Sequence, residues 1–508
     1  MIFLLIAFNG FSQSSLETKA NDAFLKAQYV DAIKYYEQLL VKNTSNFNAV
    51  RNLGYAYKFT NQNSKAELHF KKLIESNMQK NQDVFAYAQV LKQIGKFQDF
   101  DIWMKKYAKL NPNDKRVIKY LENPNYVQTL LTDSLNTEIS YLDINSEVPE
   151  FAPNFYKNKL CFVSARGKKP FLKSNFKYDG GRFLDIYTAS ILENKELDSI
   201  FPLIGNINTS MHEGPLCFTN NDSLMYFTRN YYKAKIYNNS NSENKLRIAV
   251  AELTKNGWKQ SGYLFKNDIQ SSYGHPAVSF NGEELVFVSD RPGGFGGTDL
   301  YKCVKINGAW SKPQNLGTNI NTEGNEMFPY IDSIGTLFFA SDGHLGLGGL
   351  DIFYSPYLNE KYQMVINVGV PINSNADDFG LVLSTDLKTG YFSSNRSAGL
   401  NDDDLYRFKR ELGFGVLYSL SGYVLDKYKN IPISDAVLKL YLDGVLVQEK
   451  YVDNLGFYQF NLKKDKNYVI KVSVDDYNED ELIVSTFSNT KGALSENIYL
   501  EPIKDLIL

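Results

Sequence analysis

The sequence predicts a multidomain chain: α-helical repeats, then an all-β five-bladed propeller, then a β-sandwich. Three observations predict it. Small and aromatic residues recur every 34 positions over residues 16–120. Longer units, spaced 52 to 64 residues apart and each holding about four β-rich runs, fill residues 126–412. Short alternating runs with turn signals follow from 413. Composition agrees: 35 Tyr and 34 Phe against 3 Trp are residues that suit pleated, half-buried surfaces. The 508 residues allow about three domains. With 55 Lys+Arg against 57 Asp+Glu the net charge is −2, which excludes the basic field of a nucleic-acid binder. Three cysteines exclude a disulfide scaffold and a four-cysteine zinc site.

The apolar run from Met1 to Phe8 is too short to span a bilayer. Gly10 and Ser12 supply the small-x-small pattern of a signal-peptidase site, so residues 1–12 are expected to be a signal peptide cut before Gln13. No Lys or Arg precedes the run, a departure from the usual pattern. The expected location is the periplasm, associated with the outer membrane and without a transmembrane span.

Residues 13–125 carry the helical period. Ala20, Gly54 and Ala88 are 34 apart, as are Ala32 and Ala66, and Tyr36, Phe70 and Met104; Phe100 takes the small position of the third unit. Small residues let paired helices approach, and the aromatic fills the gap between pairs. The pattern, with Leu53-Gly54-Tyr55-Ala56-Tyr57, resembles the tetratricopeptide repeat. The resemblance implies a concave groove for a protein partner, with Tyr29, Asn52, Tyr55 and Phe59 as candidate partner-binding residues.

The propeller units over 126–412 have three recurring elements. An Ile-Asn pair precedes an acidic residue five positions after the Asn: Asn145 to Glu150, Asn208 to Glu213, Asn321 to Glu326, Asn373 to Asp378. An aromatic strand then ends in Ser164, Thr228, Ser289, Ser341 or Ser394. A Gly-rich turn leads to Asp-aliphatic-aromatic at Asp185, Asp299, Asp351 and Asp404, with Arg247 in the degenerate second unit. The five units resemble the repeats of TolB-like and PD-type periplasmic propellers, on the stretch Ser289-Asp290-Arg291-Pro292-Gly293-Gly294. A strand over 139–145 is expected to complete the last blade and close the ring without an exposed edge. Residues 413–508, with Ser421-Gly422-Tyr423-Val424 and Asp453-Asn454-Leu455-Gly456-Phe457, resemble the carboxypeptidase regulatory-like, transthyretin-type sandwich of about seven strands.

Glu150, Glu213, Glu326 and Asp378 suggest a propeller glycosidase if read alone. Their recurrence at one blade position argues otherwise, because a catalytic acid and base need different surroundings. They read as blade-structural, as do Asp185, Asp299, Asp351 and Asp404, each expected to tie its turn to the Ser or Arg of a neighbouring strand. His212 and His275 read as capping or channel-lining residues with a shared metal as the alternative, His344 as loop, and Asp402-Asp403-Asp404 as a solvated acidic turn rather than a Ca²⁺ loop. Cys161, Cys217 and Cys303 read as small buried apolar residues. No motif assigns catalysis or a cofactor.

The order of the three segments resembles the PorE-like, OmpA-family envelope proteins of Bacteroidetes. That resemblance implies a non-catalytic scaffold of type IX secretion or gliding machinery, partnered by a PorP/SprF-like outer-membrane barrel. In that family an OmpA-like C-terminal domain binds peptidoglycan. The sequence stops at Leu508, where that domain is expected to begin, so the chain is either truncated or a short variant. Peptidoglycan is an expected partner only if that domain exists. The alternative is a carbohydrate-active or ligand-sensing propeller.

Overall fold

The computed structural model describes residues 15–132, 137–167, 181–193, 196–231, 245–268, 270–358, 360–396, 402–410, 413–414, 418–462, 466–487 and 493–503. Residues 1–12, expected to be a signal peptide, lie outside this set. Two compact units result, one of residues 1–385 and 389–409, the other of 386–388 and 410–508.

The first unit opens with helices: α1 (15–25), α2 (Tyr29–Lys42), α3 (Phe47–Phe59), α4 (Asn63–Glu75), α5 (Asn81–Gln93), α6 (Phe97–Leu110), α7 (Lys115–Glu122) and α8 (Tyr126–Thr132). Consecutive helices from α2 to α7 pack against one another. Ala20, Ala88, Ala32, Ala66, Tyr36, Phe70 and Met104 are all buried in one core, so the 34-residue period is a packing period. The helical segment runs on through α8, past the boundary expected at 125/126. Asn123-Pro124-Asn125 forms a turn between two helices, and Val127 joins the helical core.

Five antiparallel sheets follow, the third of five strands and the others of four. The first sheet holds Glu150–Tyr156, Lys159–Ser164, Asp185–Ile191 and Leu197–Pro202. The second holds Glu213–Phe218, Leu224–Tyr231, Lys245–Thr254 and Gly257–Tyr263. The third is built on Tyr273–Val278, Glu284–Ser289 and Asp299–Ile306, with the short strands Ala309–Trp310 and Gln314–Asn315 on its outer side. The fourth holds Glu326–Ile331, Leu337–Ser341, Asp351–Ser355 and Ile366–Asn367. The fifth holds Asp378–Leu383, Thr389–Ser394, Asp404–Arg410 and, from far upstream, Thr137–Tyr141. The first strand of each sheet neighbours the first strand of the next, and that of the fifth returns to the first. The cycle is therefore closed by a strand from before the first sheet, slightly earlier than the 139–145 expected.

All five first strands break register at one place, between Phe151/Asn154, Glu213/Leu216, Gly274/Ala277, Met327/Tyr330 and Phe379/Val382. Four of these bulges contain a proline, which has no N–H to give the ladder. Ala152, His275, Phe328 and Gly380 take positive φ there. The freed amides point sideways to another sheet: Ala152 N–H donates to Ser393 Oγ at 3.0 Å and His275 N–H to Thr228 Oγ1 at 2.8 Å.

The second unit has two four-stranded sheets. One orders Phe457–Leu462, Tyr418–Asp426 and Ala493–Ser495, with Ile498–Leu500 also on the Tyr418–Asp426 strand. The other orders Val445–Tyr451, Val437–Leu442, Asn467–Ser473 and Asp480–Ser485. Leu420, Val424 and Phe460 of one and Leu438, Ile470 and Val472 of the other share a buried core.

Candidate functional site

The residues with the most chemistry sit where one sheet hands over to the next. The Asn of each Ile-Asn pair lays its side-chain amide against a backbone residue of the preceding sheet, donating to its carbonyl and accepting from its N–H. Asn145 does so with Leu405 (2.9 and 2.9 Å), Asn208 with Ile186 (2.9 and 2.8 Å), Asn321 with Leu300 (3.0 and 2.8 Å) and Asn373 with Ile352 (2.8 and 2.8 Å). An amide is the side chain that supplies both a donor and an acceptor in peptide geometry.

The next residue is always Ser or Thr, and it grips the carboxylate four positions on with both its N–H and its hydroxyl. Ser146 holds Glu150 at 2.9 and 2.7 Å, Thr209 holds Glu213 at 3.0 and 2.7 Å, Thr322 holds Glu326 at 2.9 and 2.6 Å, and Ser374 holds Asp378 at 2.6 and 2.8 Å. All four carboxylates are 0 % exposed. In three junctions an arginine neutralises the charge: Arg166 on Glu150 and Arg229 on Glu213, both at 2.9 Å, and Arg396 on Asp378. The same guanidinium caps the carbonyl of the Ile, as Arg166 does at Ile144 O (2.8 Å), and lies over the strand aromatics.

The fourth junction differs. Gly343 stands two residues after Ser341, where the first and fifth units have Arg166 and Arg396. His344 takes over the carbonyl, with Nε2 2.8 Å from Ile320 O and its ring against Phe339 and Phe353. Burial pushes His344 down to about 4, so it is neutral and brings no charge. Burial pushes Glu326 up to about 7, against the hydrogen bonds from Thr322 and Ser341 that favour its ionised form. The third junction has no acid: Tyr273 pairs with Ser289 at that register, its hydroxyl donating to Asp268. Arg247 caps the carbonyls of Ser271 and Asp268.

The aspartates of the Asp-aliphatic-aromatic element do something simpler than expected. Asp299 accepts from Phe295 N (2.7 Å) and Gly296 N (3.1 Å), and Asp351 from Leu347 N and Gly348 N (both 2.8 Å). They shape their own Gly-rich turns; among the described residues the side chain bonded to Asp299 is Asn315 at 2.6 Å, not the Ser or Arg of a neighbouring strand. Asp404 accepts from Tyr141 OH of the closing strand at 3.4 Å, and Asp185 is half-buried beside Gly167.

At the middle of the cycle, aromatic side chains from four first strands converge. Phe328 packs on His275 at 4.2 Å, on Phe379 at 4.6 Å and on Phe151 at 6.4 Å between ring centres. His275 accepts from Phe328 N at Nδ1 (3.2 Å), and burial lowers it to about 4. His212 accepts from Leu184 N at 3.3 Å. The two histidines are thus separately engaged, and among the described residues no cluster of three metal-ligating side chains forms. Cys161, Cys217 and Cys303 are buried free thiols.

The helices are seated on the ring through the fourth sheet's turn. Lys92 of α5, buried at 4 % exposure, donates to Gly346 O at 3.2 Å, and Tyr126 OH donates to the same carbonyl at 3.3 Å. Leu347 enters the helical core, Asn375 Nδ2 donates to Gln93 O at 2.8 Å, and Lys115 pairs with Glu323 at 2.9 Å. Burial lowers Lys92 and raises Asp351 to about 7, each partly offset by the other's charge. Replacing Lys92 with Met removes the donor and the opposing charge together. Hydrogen exchange of the amides over 346–350 should rise about tenfold or more; unchanged exchange would show that Lys92 does not hold the seat.

Of the groove candidates, Asn52 donates to Tyr36 OH (2.9 Å) and Tyr55 OH to Asp83 (3.2 Å), so both tie helices together. Tyr29 and Phe59 pack as tilted rings with centres 5.0 Å apart, and Phe59 is 40 % exposed. The recurring Asn is visible in the sequence, but not what its amide binds; the following Ser/Thr, Lys92 and the role of His344 were missed. The Ser/Thr recurrence was a usable signal; Lys92 gave none.

Among the described residues no helix is long and apolar enough to cross a membrane. No family model matches the chain, and no curated protein matches it. Solved structures do. An α-L-arabinofuranosidase from Podospora anserina is 10 % identical over 56 % of this chain and 99 % of that one, with a TM-score of 0.34. The Bacteroides ovatus xyloglucan PUL protein GH43B is 12 % identical over 69 % and 92 %, at 0.33. The sialidase of Trypanosoma rangeli is 9 % identical over 70 % and 88 %, at 0.32. Likenesses this distant carry no chemistry across.

Proposed function

We propose that the chain is a non-catalytic scaffold of the bacterial envelope: a five-bladed β-propeller carrying tetratricopeptide-like helices and a regulatory-like sandwich, which holds protein partners. The observation behind this reading is that the recurrent carboxylates are buried and already spent on hydroxyls, amides and arginines. None faces a position where a substrate would meet an acid and a base in different surroundings. The aromatic residues at the middle of the cycle likewise pack on one another. The chemistry of the ring goes into holding itself together, and what remains is surface.

Type IX secretion or gliding machinery, with a PorP/SprF-like barrel as partner, is the setting that the order of segments favours. A tagged full-length chain, purified from envelope extract of its native cells, is expected to retain such a component; recovery of none would overturn the reading. The alternative, a carbohydrate-active or ligand-sensing propeller, draws on Glu326, which of the four recurrent junction carboxylates is the one not paired with an arginine and is raised to about 7. Turnover lost on Glu326→Gln would favour it.

A further inference from the structure

The third and fourth sheets carry the same turn, and only one of the two is covered. In the third, Gly293-Gly294-Phe295-Gly296-Gly297 leads to Asp299; in the fourth, Gly346-Leu347-Gly348-Gly349 leads to Asp351. Each aspartate accepts from the residues four and three positions before it. Gly297 N donates to Gly324 O (2.8 Å) as Gly349 N does to Ala376 O (3.2 Å). A Cβ on Gly294 would strike Asp299 Oδ2 at 2.6 Å, and one on Gly346 would strike Asp351 Oδ2 at 2.3 Å. Phe295 is therefore the counterpart of Leu347, and Gly294 O that of Gly346 O.

Leu347 is 1 % exposed, sunk among this chain's helices, while Phe295 is 42 % exposed. The bare turn borders the covered seat. Gly296 lies against the backbone of Thr322–Gly324, and Glu323 in that stretch pairs with Lys115 of α7. Beside Glu323 opens a cavity of 540 Å³, lined also by Tyr107, Leu110 and Lys115. Leu110 is 50 % exposed and Ile118, on α7, 41 %.

We propose that the Gly293–Gly297 turn, with Phe295 as its knob, seats a helix pair of another polypeptide as the Leu347 turn seats this chain's own helices. The proposal rests on the scaffold reading and names its surface. The occupant is set by the covered twin: small residues around a lysine or tyrosine donor aimed at Gly294 O, with an apolar pocket for the phenyl ring. A second copy of this chain does not fit, because its Lys92 and Tyr126 already grip its own Gly346.

The test places the photo-crosslinking residue benzoylphenylalanine at position 295 of the full-length chain in its native cells, with position 280 as control. Phe280 is also exposed, at 55 %. The expected result is an adduct at 295 and none at 280, with the adducted peptide lying in a helix that carries Lys or Tyr. In parallel, Phe295→Asp should cut recovery of that partner about tenfold or more, with the melting temperature unchanged, and Phe280→Asp should not. No adduct at 295, identical adducts at both positions, or an adducted peptide outside a helix would overturn the proposal. Partners retained equally by Phe295→Asp would overturn it while leaving the scaffold reading intact. A wild-type chain that retains nothing would overturn both.

Discussion

Deleting residues 137–146 is expected to erase the cooperative thermal transition of the ring, not merely lower it. The segment contributes the outer strand on Asp404–Arg410. It also supplies the Asn145 amide on Leu405, the Ser146 N–H and hydroxyl on Glu150, and the Ile144 carbonyl that Arg166 caps. At about 1 kcal/mol for each hydrogen bond and more for those to charged groups, the loss approaches the roughly 5–15 kcal/mol that holds a domain folded. The cost also exceeds the sum of the bonds. Glu150 keeps its buried position but loses two of its donors, and the Asp404–Arg410 strand becomes an open edge. Calorimetry of the deletion against the full chain reads the result. A transition within a few degrees of the parent would mean that the cycle does not depend on this closure.

The second large effect is a contrast between two equivalent junctions. Arg396→Met leaves Asp378 at zero exposure with hydroxyl and amide donors but no cation, and should destabilise by about 3–5 kcal/mol at pH 7. Glu326→Gln should cost almost nothing there, or stabilise, because this junction has no cation to strand. The pH dependence separates them further. Glu326 is raised to about 7 from an ordinary value near 4.5, so the folded state holds its proton more tightly than the unfolded state does. Its share of stability is full below about 4.5 and is lost as pH rises through 7. The loss is on the order of 3 kcal/mol across that window. The Gln variant should flatten that part of the profile. Asp351, raised to about 7, and Asp404, to about 6, slope the same way and remain in the variant. Denaturant midpoints from pH 4.5 to 8 test this; a profile with the parent's full slope would mean that Glu326 is ionised throughout.

Much of the architecture could be read from spacing alone. The 34-residue period located residues that do pack, since Ala32, Ala66, Tyr36 and Phe70 are fully buried, and a side chain's burial follows helical geometry. The recurring acid was visible because each sheet needs the same local solution. What stayed hidden was specified in space. Lys92 looks like any solvated lysine on an amphipathic helix until Gly346 arrives from 254 residues away. His344 sits one residue beyond the arginine position and read as loop, yet its ring reaches the carbonyl that arginine caps elsewhere. The third junction lacks the recurring pair, since Asp268 stands where the other junctions have Asn and Tyr273 where they have the acid. The helical segment was ended at 125, where β-rich texture was read to begin, yet Tyr126–Thr132 is one more helix.

The claim that the recurrent carboxylates build the ring and do not catalyse is tested most directly by assaying the purified full-length chain against glycosides and peptides beside Glu213→Gln and Glu326→Gln. The account predicts no turnover by any of the three, with melting temperature shifting in the variants according to whether an arginine is stranded: down for Glu213→Gln, where Arg229 loses its partner, and level or up for Glu326→Gln. Hydrolysis by the wild-type chain that disappears in either variant, with the fold intact, would contradict it.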